Sequence, residues 1–235
     1  MQHFGIIGKP LGHSQSKTYF DARFAAKGVQ ADYTVYELMR IEDVTPLLDS
    51  LDGISVTSPY KETVMTYLDK IDETAKEIGA VNLIYKHCGY NTDWIGAMAA
   101  LKPYLRPTDK QALVLGSGGA AHAVKYALEK MGLNVRTVSR QQGKGDLTYG
   151  ELTQEVMKDC TVIANCTPLG MKPLEDKRPD VPYQWITNEH VLFDCIYNPE
   201  KTLFLAEGEK HGATIVNGAE MFVAQAKEAE KIYNI

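Results

Sequence analysis

Polar side chains recur at the predicted carboxyl ends of buried strands, which is where an open α/β sheet binds its ligands. In the first half of the chain these are hydroxyls, amides, one lysine and one carboxylate: Ser14, Ser16, Thr57, Lys61, Asn82, Asn91, Thr92 and Asp93. Later in the chain Asn165, Thr167 and Tyr197 occupy similar positions. Such a set of groups suits a small polyhydroxylated substrate and includes donors for a carboxylate.

Lys61 and Asp93 are the candidates for proton transfer. Lys61 falls in the first turn of a helix predicted over residues 61–68, where the helix dipole disfavours a positive charge. This placement could lower the pKa of the amine toward neutrality, and Asp93 could orient it or share its proton. The plainer alternative for Lys61 is an exposed surface lysine, and for Asp93 it is a helix N-cap. His13, in a loop between Gly12 and Ser14, is a weaker candidate base.

A strand, a glycine-rich turn, a helix and a second strand follow one another over residues 111–140. The turn reads G-x-G-x-x-A, and its residues are Gly116, Ser117, Gly118, Gly119, Ala120 and Ala121. Small residues there let the backbone approach a pyrophosphate, and the helix N-terminus offers unpaired N–H groups. The pattern predicts a dinucleotide site, with a simple tight turn as the alternative.

The end of the second strand favours NADP over NAD. An NAD site usually places Asp or Glu there, to hold the ribose 2′-hydroxyl. This chain has Ser139 and Arg140, with Lys144 nearby. A guanidinium can pair with a 2′-phosphate, which a carboxylate would repel. The alternative is that Arg140 is a solvated strand end.

Length, charge and cysteine spacing argue against several classes of protein. The chain has 235 residues and a net charge of −5, which argues against a nucleic-acid partner. Its apolar runs are shorter than the roughly 18 residues of a membrane span, and its N-terminus lacks signal-peptide features. The cysteines at 88, 160, 166 and 195 show neither C-x-x-C spacing nor a metal pattern. We expect reduced thiols, no bound metal and a cytoplasmic location.

Strand and helix patterns alternate along the chain and predict an α/β fold with parallel-type sheets. The dinucleotide unit begins near the middle, which favours two domains. We expect a substrate-binding catalytic domain at residues 1–100 plus 219–235, because the final helix could return to the N-terminal domain. A Rossmann-like NADP-binding domain would occupy residues 101–218.

At this point the chain resembles the shikimate dehydrogenase family. Motifs in the family's order cover essentially the whole sequence, and their joint occurrence is far more specific than the glycine turn. They are GKPLGHSQS at 8–16, GISVTSPYK at 53–61, GAVN at 79–82, GYNTDWIG at 89–96, the glycine turn, NCTPLGM at 165–171, DCIYNP at 194–199, and Gly218 with Met221 and Gln225.

The resemblance implies reversible, NADP-dependent reduction of 3-dehydroshikimate to shikimate in aromatic amino-acid biosynthesis. It implies Lys61 and Asp93 as the catalytic pair. Substrate ligands would be Ser14, Ser16 and Tyr197 for the carboxylate, and Thr57, Asn82, Asp93 and Gln225 for the hydroxyls. Cofactor ligands would be Gly116 to Ala120, Ser139, Arg140 and Lys144, with Thr167, Cys195, Gly218, Met221 and Glu73.

The sequence departs from the family pattern at several positions. Ser55 stands where the family usually has Asn, and Lys17 where it usually has Pro. Gln141 follows Arg140 in place of the usual Thr, and a second phosphate-binding arginine is missing unless Lys144 serves. Two alternatives therefore stay open: a quinate/shikimate dehydrogenase paralogue that uses NAD or both cofactors, and a non-catalytic ligand-binding relative. A monomer and a homodimer are both compatible with the sequence.

Overall fold

The computed structural model describes residues 1–12 and 14–235, and it divides the chain into two compact units. The first unit contains Met1–Thr92 and Gln225–Ile235, and the second contains Asp93–Ala224. His13, the weaker candidate base, lies outside the described residues. Within the described part of the chain, every helix is too short or too polar to cross a membrane.

The first unit is built on a six-stranded mixed sheet. Its strands and helices are β1 (Gln2–Gly8), α1 (Ser16–Lys27), β2 (Ala31–Glu37), α2 (Thr45–Ser50), β3 (Gly53–Val56), β4 (Lys70–Ile71), α3 (Glu73–Ile78), β5 (Leu83–Tyr85) and β6 (Cys88–Tyr90). The spatial order is β2-β1-β3-β5-β6-β4. Alternation along β1 directs Phe4 and Ile6 toward one core cluster and Ile7 toward another.

The expectation of a parallel sheet is wrong for part of this unit. Strands β1, β2 and β3 are parallel, but β5 runs antiparallel to both β3 and β6. Lys86 and His87 join β5 to β6, and both have positive φ, 50° and 58°. Two such residues make a hairpin turn whose twist matches the strands. The sequence lacks the usual Asn-Gly or Asp-Gly signal, so the pattern did not predict the hairpin.

The second unit has a six-stranded sheet in which every pair of neighbouring strands is parallel. Its elements are α4 (Asp93–Leu101), β7 (Gln111–Leu115), α5 (Gly119–Lys130), β8 (Asn134–Ser139), β9 (Leu147–Thr148), α6 (Gln154–Asp159), β10 (Val162–Asn165), β11 (Val191–Asp194), α7 (Leu203–Lys210), β12 (Thr214–Val216) and α8 (Ala219–Tyr233). The order β12-β11-β10-β7-β8-β9 reverses direction between β7 and β10. This is the doubly wound topology of a Rossmann-like domain, whose ligand site lies at that reversal.

The boundaries of the units differ from those predicted. The first boundary follows Thr92 instead of residue 100, because Ala97, Ala100 and Leu101 of α4 share a core with α5. The second falls at Gln225 instead of 219, because Met221 packs into that same core. Residues farther along α8, Ala229 and Tyr233 among them, pack in the core of the first unit.

The start of one predicted helix also differs in the structure. Helix α1 begins at Ser16, and Ser14 Oγ accepts from the Ser16 N–H at 3.3 Å. The helix predicted at 61–68 is a short 3₁₀ helix, Thr63–Tyr67, which begins after Lys61. Lys61 therefore does not lie in the first turn of an α-helix, as the sequence pattern predicted.

Helix α8 is held in the first unit by a buried carboxylate. Glu230 accepts from Arg23 Nε at 2.8 Å and Nη2 at 2.9 Å, and from the Tyr19 hydroxyl at 2.7 Å. Lys27 Nζ lies 2.7 Å from the same carboxylate. Burial alone would raise the pKa of Glu230, but the hydrogen bonds from Arg23, Lys27 and Tyr19 outweigh it and lower the pKa to about 2.

We predict that Glu230→Gln lowers the free energy of unfolding at pH 7 by about 1–2 kcal/mol. Loss of a buried charge partner can cost more, but Arg23 and Lys27 are partly solvated and their interaction is screened. Because the folded pKa lies below the unfolded value, the stabilisation is complete above about pH 4.5 and lost as the pH falls toward about 2. Urea denaturation at several pH values measures it.

Glu228→Gln on the same helix is the matched control, since Glu228 pairs only with the exposed Lys231 among the ion pairs described. It should change stability by less than about 0.5 kcal/mol. Equal effects of the two substitutions would contradict the role given to Glu230.

Candidate functional site

In the first unit, the segment after β3 is anchored closely beside the end of β1. The Thr57 N–H donates to Ile7 O at 2.9 Å, and the Lys9 N–H donates to Ser58 O at 2.9 Å. A Cβ added to Gly8 would overlap the Thr57 methyl group, so this close approach requires glycine. Thr57 is thereby held at the carboxyl end of the sheet's parallel strands.

Lys61 is placed by backbone and by a buried neighbour. Its carbonyl accepts from the Val81 N–H at 2.7 Å, which ties it to the segment entering β5. Tyr60 is buried, and its hydroxyl donates to Leu38 O at 2.7 Å. The Lys61 side chain is half-buried. Residues 57–61 thus form a rigid segment that carries the Thr57 hydroxyl and the Lys61 amine.

The hydroxyl of Tyr33 contacts the side chains of two serines, Ser16 and Ser55. Its ring is fully buried and stacked on Phe20 with centroids 4.8 Å apart. Its hydroxyl donates to Ser55 Oγ at 2.7 Å and also interacts with the side chain of Ser16. Burial raises the pKa of Tyr33, so the phenol stays protonated as a donor. The family departure at Ser55 therefore places a short hydroxyl within reach of Tyr33.

The other departure in this region, Lys17, has a structural role. Its ammonium donates to Asp21 at 2.8 Å and to the Tyr33 carbonyl at 2.7 Å, which attaches the first turn of α1 to β2.

A network of buried amides and a hydroxyl lies beside β5. Asn82 Nδ2 donates to Thr92 Oγ1 at 3.0 Å, and the Thr92 N–H donates to Asn82 Oδ1 at 2.7 Å. Gln225 Oε1 accepts from Thr92 Oγ1 at 3.2 Å and from Asn82 Nδ2 at 3.4 Å. Asn91 Nδ2 donates to Ala80 O at 2.8 Å. We call Asn82, Asn91, Thr92 and Gln225 the amide network.

Burying the amide network costs free energy unless each polar group that leaves water finds a hydrogen-bond partner in the protein. Asn82, Asn91 and Thr92 are each at most 5% exposed. Asp93, which opens α4 and belongs to the second unit, is 6% exposed. A run of buried polar residues that begins a helix is a typical feature of a binding site rather than of a core.

In the second unit, the glycine turn after β7 fits a dinucleotide phosphate. Gly116 has φ of +119°, and a Cβ there would lie 3.2 Å from Cys166 O, so the position favours glycine. Gly118 precedes α5 in an extended conformation, and it has no side chain to cap the N–H groups at the start of that helix. Ser117 and Gly118 are exposed. The unpaired N–H groups and the positive end of the helix dipole can hold an anion.

The predicted 2′-phosphate residues follow β8. Ser139 is buried, and its Oγ accepts from the Gln141 N–H at 3.2 Å, which shapes the turn. Arg140 and Lys144 are both exposed. Asp146, which lies between β8 and β9, accepts from the Thr137 N–H of β8 at 2.7 Å. That hydrogen bond, more than any other factor, lowers the pKa of Asp146.

A buried carboxylate organises the ends of β10 and β11. Asp194 accepts from Asn165 Nδ2 at 3.2 Å, from the Thr202 hydroxyl at 2.7 Å and from the Ile196 N–H at 3.0 Å. Asn165 Oδ1 accepts in turn from the Thr167 hydroxyl at 2.7 Å. Burial raises the pKa of Asp194 to about 6 against these hydrogen bonds. Asp194 is not among the predicted site residues; its only signal in the sequence is a carboxylate in the DCIYNP motif beside a buried strand.

The remaining predicted cofactor residues of the second unit lie beside these strand ends. Cys195 follows Asp194, and a Cβ added to Gly218 would overlap the Cys195 carbonyl oxygen. Met221 is buried in the core that both Cys166 and Cys195 contact. The ring of Tyr197, predicted to bind substrate, packs on Phe222 with centroids 5.1 Å apart.

The structure thus groups the predicted residues by unit. Ser14, Ser16, Thr57, Lys61, Asn82 and Gln225 belong to the first unit, and so does Glu73, whose exposed carboxylate pairs with Lys76 at 2.6 Å. Asp93, Tyr197 and the other predicted cofactor residues belong to the second. The role of each residue stays a prediction. Among the described residues, no cluster of three or more potential metal ligands occurs.

Comparisons with known proteins relate the whole chain to one family. Residues 6–84 match the model of the shikimate dehydrogenase substrate binding domain. The chain is 37% identical to "Shikimate dehydrogenase (NADP(+))" of Aquifex aeolicus, over 99% of this chain and 91% of that protein.

Solved structures show the same relationship. A crystal structure of shikimate dehydrogenase in complex with NADP+ is similar with a TM-score of 0.89 and 32% identity, covering 99% of this chain and 90% of that one. A shikimate 5-dehydrogenase from Listeria monocytogenes in complex with shikimate and NAD is similar with a TM-score of 0.83 and 26% identity, covering 100% and 92%.

We predict that Gly218→Ala lowers the free energy of unfolding by about 1–3 kcal/mol, because the added methyl group must displace the Cys195 carbonyl and the end of β11. Urea denaturation of the whole chain measures this. Gly150→Ala is the control, since a Cβ there meets nothing within 4 Å, and it should be nearly neutral. A neutral Gly218→Ala would show that the backbone at Cys195 can move away freely.

Proposed function

We propose the activity of this chain from its family, because the chain belongs to the shikimate dehydrogenases. It catalyses the reversible, NADP-dependent reduction of 3-dehydroshikimate to shikimate. The observation that carries the proposal is the 37% identity to an NADP-dependent shikimate dehydrogenase over 99% of this chain. The similarity spans both units, so the substrate-binding and the dinucleotide-binding parts are supported together.

The chemistry divides between cofactor and protein. When bound, the cofactor would supply the hydride acceptor for the oxidation of shikimate and the hydride donor for the reverse reaction. The protein must remove the hydroxyl proton as the hydride leaves. We assign this step to Lys61, whose amine takes that proton in the oxidation and gives it back in the reduction. The rigid segment at 57–61 supports this assignment, since proton transfer depends on positioning within hydrogen-bond reach.

Asp93 is the second member of the proposed catalytic pair. It is buried at the start of α4, where the helix N-terminus favours a negative charge. We infer that it binds a substrate hydroxyl.

The amide network supports the proposed recognition of the hydroxyl groups. Gln225 Oε1 accepts from both Asn82 and Thr92, so the network fixes which end of the Gln225 amide is oxygen. We infer that Gln225, held in this way, contributes to binding a substrate hydroxyl. Thr57 and Asn82 complete this group of hydroxyl ligands. Ser14, Ser16 and Tyr197 are proposed to bind the carboxylate through their hydroxyls.

The proposed cofactor contacts lie in the second unit. Gly116, Ser117, Gly118, Gly119 and Ala120 would hold the pyrophosphate at the start of α5, and Ser139, Arg140 and Lys144 the 2′-phosphate. Thr167, Cys195, Gly218 and Met221 would line the nicotinamide half, and Glu73 would lie near it. Arg140 is the stronger phosphate ligand of its group because a guanidinium can bind two oxygens at once.

A second candidate differs in cofactor and substrate range. One similar structure, of a shikimate 5-dehydrogenase, is a complex with shikimate and NAD. The predicted 2′-phosphate ligands of this chain include a single arginine, Arg140. These observations support a competing candidate function, that of a quinate/shikimate dehydrogenase that uses NAD. A cytoplasmic location, a monomeric or dimeric state and the lack of a nucleic-acid partner also belong to the proposal.

Initial-rate oxidation followed at 340 nm, with shikimate or quinate and with NADP+ or NAD+, tests the function. We expect kcat/KM for shikimate with NADP+ to exceed every other pair by at least about tenfold, equivalent to 1.4 kcal/mol. Comparable rates with quinate or NAD+ would favour the competitor. Folded protein that is inactive with all four pairs would refute both and favour a non-catalytic relative.

Lys61→Ala should lower kcat by about 10²–10⁴-fold, the usual contribution of a positioned acid/base group. The dissociation constant for shikimate should change by less than about threefold, because the hydroxyl and carboxylate ligands remain. Lys70→Ala, at an exposed lysine on β4 of the same unit, is the control and should keep full activity. Retention of most activity in Lys61→Ala would remove Lys61 from the mechanism.

A further inference from the structure

We propose that Cys166 and Cys195 form a reversible disulfide whose formation weakens cofactor binding. Their Sγ atoms lie 3.5 Å apart, and both thiols are free and partly buried. The other cysteines are elsewhere: Cys88 in β6 of the first unit, and Cys160 in a different core cluster of the second. The proposal concerns a modification site in the second unit.

The backbone places the two cysteines beside each other, just after neighbouring strands. Cys166 and Cys195 each follow one member of the register pair Asn165 and Asp194 on neighbouring parallel strands. The Cys195 N–H donates to Asn165 O at 3.0 Å, so the strand pairing continues to this point. Neighbouring strands lie about 4.8 Å apart, and disulfides span Cα separations of about 4.4–6.8 Å.

The two side chains also leave the sheet on the same face. Both pack against the core formed by α4, α5, Val216 and Met221. The sulfur atoms must approach by roughly 1.5 Å to reach the bonded distance of about 2.05 Å from the present 3.5 Å. Rotation of the side chains combined with a small backbone shift can supply that movement.

Any backbone shift at these cysteines is transmitted to two glycines of the proposed cofactor site. The Cys195 carbonyl is packed against Gly218 with no room for a Cβ, and the Cys166 carbonyl lies against Gly116. The Cys166 N–H also donates to Leu115 O at 2.9 Å, next to the glycine turn. Because the cysteines and both glycines share one edge of the sheet, closing the disulfide changes the surface on which the dinucleotide lies.

The oxidation balances with a peroxide as the named oxidant. The Cys166 sulfur attacks one peroxide oxygen and the O–O bond breaks, which releases water and leaves a sulfenic acid. The Cys195 sulfur then attacks the Cys166 sulfur, the S–O bond breaks, and the second oxygen leaves as water with the thiol proton. Two thiols are oxidised and one peroxide is reduced to two waters. A dithiol reductant reverses the reaction through a mixed disulfide.

The order of attack follows from the hydrogen bond between the thiols. Cys195 donates to Cys166, and this contact together with burial raises the pKa of the Cys195 thiol. Cys195 therefore keeps its proton while Cys166 reacts first, and Cys195 acts as the resolving thiol. The alternative is that both are inert apolar side chains that fill the edge of the core.

The test treats the fully reduced chain with hydrogen peroxide and, separately, with diamide, then digests it under non-reducing conditions. We expect a peptide pair joined through Cys166 and Cys195, two hydrogen atoms lighter than the reduced pair, and a fall in free thiols from four to two. The affinity for NADP+, measured by calorimetry, should fall by about tenfold or more and return with dithiothreitol.

Each variant is compared with its own reduced form. Cys166→Ser and Cys195→Ser should abolish both the linked peptide and the loss of affinity, whereas Cys88→Ser should keep both. Absence of the linked peptide from folded, oxidised protein overturns the site. A linked peptide with unchanged NADP+ affinity overturns the coupling. The effect on affinity rests on the proposed function, but the mass of the peptide does not, so failure of NADP+ binding by the reduced chain is recognised separately.

Discussion

The buried carboxylate of Asp194 is the interaction on which the second unit's site depends. A charge without water must find its hydrogen bonds within the protein. Asp194 finds them in Asn165 on the neighbouring strand, in the Ile196 N–H of its own turn and in Thr202 before α7. These three bonds determine where the chain turns after β10 and β11. At these turns the carbonyl groups of Cys166 and Cys195 lie against Gly116 and Gly218, where a Cβ would meet them.

The first unit follows the same rule with different groups. Asn82, Thr92 and Gln225 satisfy one another, so an amide from α8 is held beside the segment that leads into α4. Glu230, farther along α8, is held by Arg23 and Tyr19 of α1. Polar contacts therefore position α8 twice, once beside predicted substrate ligands and once in a structural ion pair. A helix held at both points can present Gln225 with a defined orientation.

The predictions from sequence were most accurate where neighbouring residues alone determine the structure. The βαβ unit with its glycine turn was predicted, because hydrophobic run, glycine spacing and helix periodicity all act within about 30 residues. They failed for the hairpin between β5 and β6, since Lys86 and His87 adopt positive φ without the usual residues. They also failed for the helix after Lys61, where the structure has a 3₁₀ helix that begins at Thr63.

The sequence by itself determined the α/β class, the place of the dinucleotide turn and the family, because motifs such as GISVTSPYK and NCTPLGM are read along the chain. Only the tertiary structure decided that Ser55 receives the Tyr33 hydroxyl, that Asp194 joins three segments, and that Cys166 and Cys195 are neighbours. These contacts join residues that are 22, 8 and 29 positions apart. Their existence depends on strand order and register, which arise from packing two faces of a sheet at once and leave no local trace in the sequence.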